Sequence, residues 1–187
     1  MEAPDFCEPT LGWRVWDIVD QDGALRLRSP AFLTLWLPRR EAVALCRRSF
    51  PSRRVFGLPE HRAPEERCSC GIYAAREAAQ AVPYLSRLFP RRPGVLHRVV
   101  GRVSLWGRVV ECERGWRGAS AYPCALYVPT AARRRLFSFR RLPPPLVPAE
   151  EVALGLAEYG VPIELVDCGT RGELLSALDA SGRAPPR

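Results

Sequence analysis

A chain of 187 residues, 47% of them hydrophobic, is long enough to bury a core as one ordinary domain, or as one domain with an appendage. No run approaches the ~18 uninterrupted apolar residues of a membrane span. The acidic start Met1-Glu2-Ala3-Pro4-Asp5 lacks the apolar region of a secretory signal, which predicts a cytoplasmic protein with reduced thiols. The net charge of +8 comes from 28 cations, all arginine, against 20 acids. A positive surface of that size suits nucleic acid or an acidic protein surface as partner, and equally a plainly solvated exterior. The chain has neither Lys nor Asn, both residues of AT-rich codons, which points to a GC-rich and bacterial genome.

In chain order, Gly12–Val19 alternates imperfectly as a strand, Gln21-Asp22-Gly23 is a turn signal, and Ala24–Arg28 alternates cleanly. Together they predict a β-hairpin. A third apolar run, Phe32–Leu37, stops at Pro38. Arg39–Arg48 could be a short helix or a strand, and residues 49–67 are loop-like. The Ala-rich stretch Ile72–Ala81 predicts a helix that Pro83 ends or kinks. The strongest β signal follows. Val99, Val103, Leu105 and Val109 share one parity of Val99–Glu111, Glu113-Arg114-Gly115 turns the chain, and Trp116–Val128 returns past Pro123. Gly101 and Gly107 give this hairpin the freedom for bulges or sharp coiling. Ala149–Tyr159 predicts a helix closed by Gly160, Val161–Val166 a strand, and Arg171–Asp179 a last helix.

The fold class expected is α+β. A small bent antiparallel sheet or partial β-barrel carries an inserted Cys/His loop and helix, and a C-terminal helix–strand–helix packs beside it or forms an appendage. The division expected is a β-rich domain over 1–130, a basic and Pro-rich connector over 131–148, a C-terminal element over 149–180 and a frayed tail over 181–187.

Chemistry concentrates in the cysteines. There are seven, at 7, 46, 68, 70, 112, 124 and 168. An odd number in a reducing compartment favours metal binding or buried thiols over a disulfide framework. Cys46, His61, Cys68 and Cys70 make a Cys3His set, the composition of a tetrahedral structural Zn2+ shell. Cys68-Ser69-Cys70 is tighter than the usual two-residue knuckle, and Gly71 supplies the backbone freedom to bring both sulfurs to one ion. Cys46 is the most distant member, and Cys112 or Cys124 could take its place. A full shell leaves no coordination position for a substrate water. An alternative makes Cys70 a nucleophile, its thiolate favoured by the N-terminus of a helix starting near Gly71 and His61 as base.

Two other groups carry signals. Arg133, Arg134, Arg135, Phe137, Phe139, Arg140 and Arg141 form a basic run with interleaved aromatics, suited to phosphate contacts and base stacking. As a strand the same run would bury Phe137 and Phe139 on one core-facing side. Trp106, Glu111, Trp116 and Tyr122 could line a small-ligand pocket, with Glu111 or Arg117 fixing a polar group, or could be cross-strand aromatic packing.

The combination of His61-x-Ala-Pro-x3-Cys68-x-Cys70-Gly71-Ile72-Tyr73-Ala74, Leu105-Trp106-Gly107-x-Val109-Val110-Glu111 and Ala121-Tyr122-Pro123 resembles a group of short, uncharacterised bacterial proteins, over roughly two-thirds of the chain. The resemblance implies a shared domain and adds weight to the Cys/His cluster, and it transfers no catalytic residue. Two function classes stand open: a zinc-stabilised binding module for nucleic acid or protein, and a thiol or pocket enzyme.

Overall fold

The computed structural model describes residues 8–46, 61–85, 93–131, 146–168 and 170–181. Eight strands form one sheet: β1 (Thr10–Gln21), β2 (Ala24–Arg28), β3 (Leu35–Trp36), β4 (Ala42–Val43), β5 (Ile72–Ala75), β6 (Val95–Cys112), β7 (Gly115–Ala131) and β8 (Ile163–Cys168). Three α-helices accompany them: α1 (Ala78–Ala81), α2 (Ala149–Leu156) and α3 (Arg171–Ser181).

The first hairpin forms as its sequence predicts. Asp22 and Gly23 both take positive φ (55° and 81°), the backbone of a two-residue hairpin turn. The Asp20 carboxylate accepts from the Gly23 N–H at 2.9 Å. The β6–β7 hairpin also forms and is longer than the alternation suggests. Two register shifts bend it, one beside Pro123 and one at Gly107. Pro123 cannot donate to a ladder, and the shift leaves Cys124 unmatched beside it. Gly107 adopts φ 71° at the second shift. At Gly101 an added Cβ would lie 2.2 Å from the Ala125 carbonyl oxygen, so the tight coiling there requires glycine.

β1 pairs with β6 and β5, and β7 pairs with the other edges of both. Four strands thus close a hydrogen-bonded ring, from which β2, β3, β4 and β8 extend. All pairings are antiparallel except β7–β8. The imperfect alternation of β1 has a simple cause: both of its faces are buried. Trp16 and Ile18 enter one core with Leu27, Trp36, Val99, Val103, Leu105 and Leu126, which α2 covers through Val152 and Leu156. Trp13 and Val15 enter a second core with Val100 and Tyr127, covered by Val82, Leu85 and, from α3, Leu174 and Leu178. The C-terminal helix–strand–helix is therefore packed on the sheet, with β8 a strand of it.

Inside the first core the rings of Trp16 and Trp36 meet edge to face, 5.4 Å apart at 85°. The Tyr159 hydroxyl donates to the Trp36 carbonyl and accepts from the Leu27 N–H at 3.0 Å, bridging β2 and β3 where their ladder is short. Burial pushes that hydroxyl up to about 12. Asp17 is wholly buried between Arg98, at 2.7 Å, and Arg28, at 3.6 Å.

Two expected elements differ. The segment expected as a short helix or a strand over 39–48, with Ala and Glu favouring helix, contributes the short strand β4 within its described residues. The helix expected over 72–81 begins only at Ala78, and Ile72–Ala75 is a strand. The alanines there serve close approach rather than helix propensity. Ala74 and Ala75 lie against Gly12 and Gly115, where a Cβ on either glycine would come within 2.6 Å or 2.1 Å of Ala74 atoms. The helix then runs to Ala81 and tightens into a 3-10 turn over Val82–Leu85, through Pro83. Among the described residues, no helix is long and apolar enough to cross a membrane.

Candidate metal centre

The β6–β7 hairpin is the platform for the Cys/His loop. β4 pairs with β7 through Ala42–Ala121 and Val43–Ser120, and Ala44 N–H donates to the Ala119 carbonyl at 2.7 Å. This delivers Cys46, buried, to one side of the centre. The chain from His61 to Cys70 supplies the other three donors. Its knuckle is a tight turn in which Cys68 N–H donates to the Glu65 carbonyl at 3.0 Å. Gly71 then takes φ 123° and directs the chain into β5. A Cβ at Gly71 would lie 2.9 Å from Arg117 Cβ and 3.0 Å from Pro64 Cβ, so glycine is required for space as well as for conformation.

The four donor atoms of Cys46, His61, Cys68 and Cys70 lie within 4.8 Å of one another. Cys46 Sγ and Cys68 Sγ are 3.8 Å apart, and His61 Nε2 and Cys70 Sγ are 3.3 Å apart. A tetrahedron with metal–sulfur bonds of ~2.3 Å and a metal–nitrogen bond of ~2.05 Å has S···S edges of about 3.8 Å and S···N edges of about 3.6 Å. The Cys46–Cys68 and His61–Cys70 edges are close to those of a four-coordinate ion and the rest lie within 4.8 Å, and the sulfur separation is far beyond the ~2.05 Å of a disulfide. This group can hold a metal ion. Cys46 takes the fourth place, and neither Cys112 nor Cys124 joins the group.

Electrostatics point the same way. Burial, together with the neighbouring thiols of Cys68 and Cys46, pushes the Cys70 thiol up to about 11. Three sulfurs this close cannot all ionise without a cation among them. A divalent ion with three thiolates would leave one net negative charge, and the guanidinium that faces it is Arg117. This buried side chain reaches from β7 under the knuckle. Its Nη1 donates to the carbonyls of Cys68, of Cys70 at 2.8 Å and of Glu65 at 3.3 Å, and its Nε donates to Cys112 Sγ at 3.2 Å. Outside it, Arg108 on β6 pairs with Glu65 at 2.9 Å, and the Tyr73 hydroxyl donates to the Ser69 carbonyl at 2.7 Å.

By its place in the sequence Arg117 is expected only as a pocket residue. Its function as a clamp arises from cross-strand geometry, Tyr73 facing Arg117 in the β5–β7 register, which no local spacing encodes. The proposed activation of Cys70 by a helix N-terminus is overturned, because a strand follows Gly71 and the thiol is raised rather than lowered.

The four aromatic-pocket candidates do not converge. Trp106 is exposed. Glu111 faces Trp116 across the hairpin and pairs with Arg76 at 2.6 Å, while Arg76 stacks over the Trp116 ring at 4.8 Å. Tyr122 is a latch, accepting from Arg39 N–H at 2.6 Å and donating to the Tyr159 carbonyl at 2.9 Å. Trp116 lines a cavity whose described lining includes none of the other three. Arg133, Arg134, Arg135, Phe137, Phe139, Arg140 and Arg141 lie outside the described residues. Compared with protein-family models, curated proteins and solved structures, the chain matches none of them.

Proposed function

We propose that this chain is a non-enzymatic binding module, pinned by a structural zinc ion on Cys46, His61, Cys68 and Cys70, that engages nucleic acid through its arginine-rich surface. The observation that carries the reading is the complete donor set. Three thiolates and an imidazole gathered within 4.8 Å suit zinc by softness and donor count. They fill the shell, so a bound ion would have no open position for a substrate. The raised Cys70 thiol argues against a thiol nucleophile. Zinc thiolates belong in a reducing compartment, which favours the cytoplasm.

Support for a polyanionic partner comes from the +8 charge and from the arginines at 133–135, 140 and 141. Five arginines that each neutralise a phosphate give a slope of log affinity against log salt of about −3.5 on a single strand. Fluorescence anisotropy with a labelled single-stranded oligonucleotide, titrated at several salt concentrations, reads that slope directly. Replacing Arg133, Arg134 and Arg135 together by Ser should reduce it by about 2. Absent or salt-insensitive binding would remove nucleic acid and leave an acidic protein surface as the partner.

A further inference from the structure

On the side of the molecule where β1, β5 and the β6–β7 turn meet α1 lies a cavity of about 520 Å3. That volume is in the range of small-molecule sites, which are mostly apolar with a few placed polar groups. Its walls include Trp13, Tyr73, Tyr84 and Trp116. Among the described residues two cations share the lining, Arg14 on β1 and Arg114 at the hairpin turn, and no Asp or Glu does.

Arg14 is the informative residue. Two arginines held inside this sheet, Arg98 and Arg28, share the carboxylate of Asp17, and a third, Arg117, is held by loop carbonyls and the Cys112 thiol. Arg14 forms no ion pair with any described residue. It donates to the Tyr73 carbonyl and, at 2.9 Å, to Ser29 Oγ, and its guanidinium lies over the Trp36 ring at 5.2 Å. These contacts fix its plane and use two of the five N–H groups of a guanidinium. Its Nε finds no hydrogen-bond partner among the described residues, and the Nη hydrogens not used by Tyr73 and Ser29 remain to meet a ligand. Holding a cation there is costly: burial lowers its pKa to about 10, and it still carries its charge at neutral pH. An oriented guanidinium without a counterion among the described residues, at the edge of a cavity lined by aromatic residues, is an arrangement for an oxyanion.

We propose that this cavity is a binding site for a small aromatic molecule bearing one acidic group, with Arg14 as the anion anchor and Tyr73, Tyr84 and Trp116 among the residues that flank its flat body. Arg114 at the rim adds attraction for the same sign of charge. The site is separate from the four metal donors, although Ser69 and Gly71 of their loop form part of its wall.

The test uses two fluorescent probes of the same shape, anilinonaphthalene sulfonate and its uncharged parent N-phenylnaphthylamine, titrated into the full chain. The proposal predicts saturable one-to-one binding with the anion favoured by roughly tenfold or more, the worth of one charge-assisted hydrogen bond. Arg14→Gln should bring the two affinities together, and Arg14→Lys should keep part of the preference. Ala31→Trp, at an exposed rim position of the cavity, should weaken both probes without touching the anchor. Circular dichroism confirms the fold of each variant, and the wild-type probe pair decides charge selectivity even if Arg14→Gln does not fold. Equal affinity for the two probes, a preference that survives Arg14→Gln, or binding unaffected by Ala31→Trp would overturn the proposal.

Discussion

Arg117→Met removes the clamp beneath the Cys68–Cys70 knuckle while keeping an unbranched, flexible stem. One Nη1 carries two hydrogens and is shared by three carbonyls, of Cys68, Cys70 and Glu65, so at most two full bonds to the loop are lost, besides the weaker one from Nε to Cys112 Sγ. Bonds to a charged group contribute about 1.5–3 kcal/mol each. Water can reach part of the loop and recovers some of this, leaving a loss of about 2–4 kcal/mol. A side chain that orients ligands from behind typically changes metal affinity by about 10- to 100-fold, which is about 1.4–2.7 kcal/mol of that loss. The remainder lowers the Tm by a few degrees, at about 2–4 °C per kcal/mol for a chain of this size. The assay is competition for zinc against a chromophoric chelator at constant pH, with far-UV circular dichroism to confirm the fold. Arg117→Lys should fall between wild type and Arg117→Met, because a single ammonium keeps the charge but not the fork. A folded Arg117→Met protein with wild-type zinc affinity would refute the clamp.

Three further outcomes are expected. Gly101→Ala should destabilise the fold by about 3 kcal/mol or more in urea unfolding, because the obstructing atom, the Ala125 carbonyl oxygen, is backbone and cannot rotate away. Asp17→Asn should cost about 3–5 kcal/mol, since it strips the buried Arg98 of its counterion; a change under about 1 kcal/mol in the same unfolding assay would contradict the pairing. Burial raises the Cys168 thiol from 9.0 to about 11. Its contribution to stability is fully present below about pH 9 and is lost as pH rises towards 11, because the unfolded thiol ionises first. Thermal melts of wild type should therefore decline more steeply over that interval than melts of Cys168→Ala.

Much of the fold was legible because its signals are local. Asp22-Gly23 declares a hairpin turn, and the parity of Val99, Val103 and Leu105 declares a half-buried face. Pro123, Gly101 and Gly107 mark the bends, each through a backbone property that only that residue type has. Ala74 and Ala75 misled because small volume satisfies two demands, helix propensity and close strand contact, and only the partners Gly12 and Gly115 reveal which one applies. The metal donors were legible as a residue set, including Cys46, whose place depends on the β4–β7 pairing far away in sequence. Arg117 and Arg14 were not legible in these parts. Their importance lies in what they face across strands, which composition and spacing do not record.

The central claim is that Cys46, His61, Cys68 and Cys70 hold one zinc ion that pins their loop to the sheet. Elemental analysis of protein purified without chelator tests it most directly. One zinc per chain is predicted, lost in Cys68→Ser and Cys70→Ser and retained in Cys124→Ser. A metal content near zero in folded wild-type protein would contradict the account.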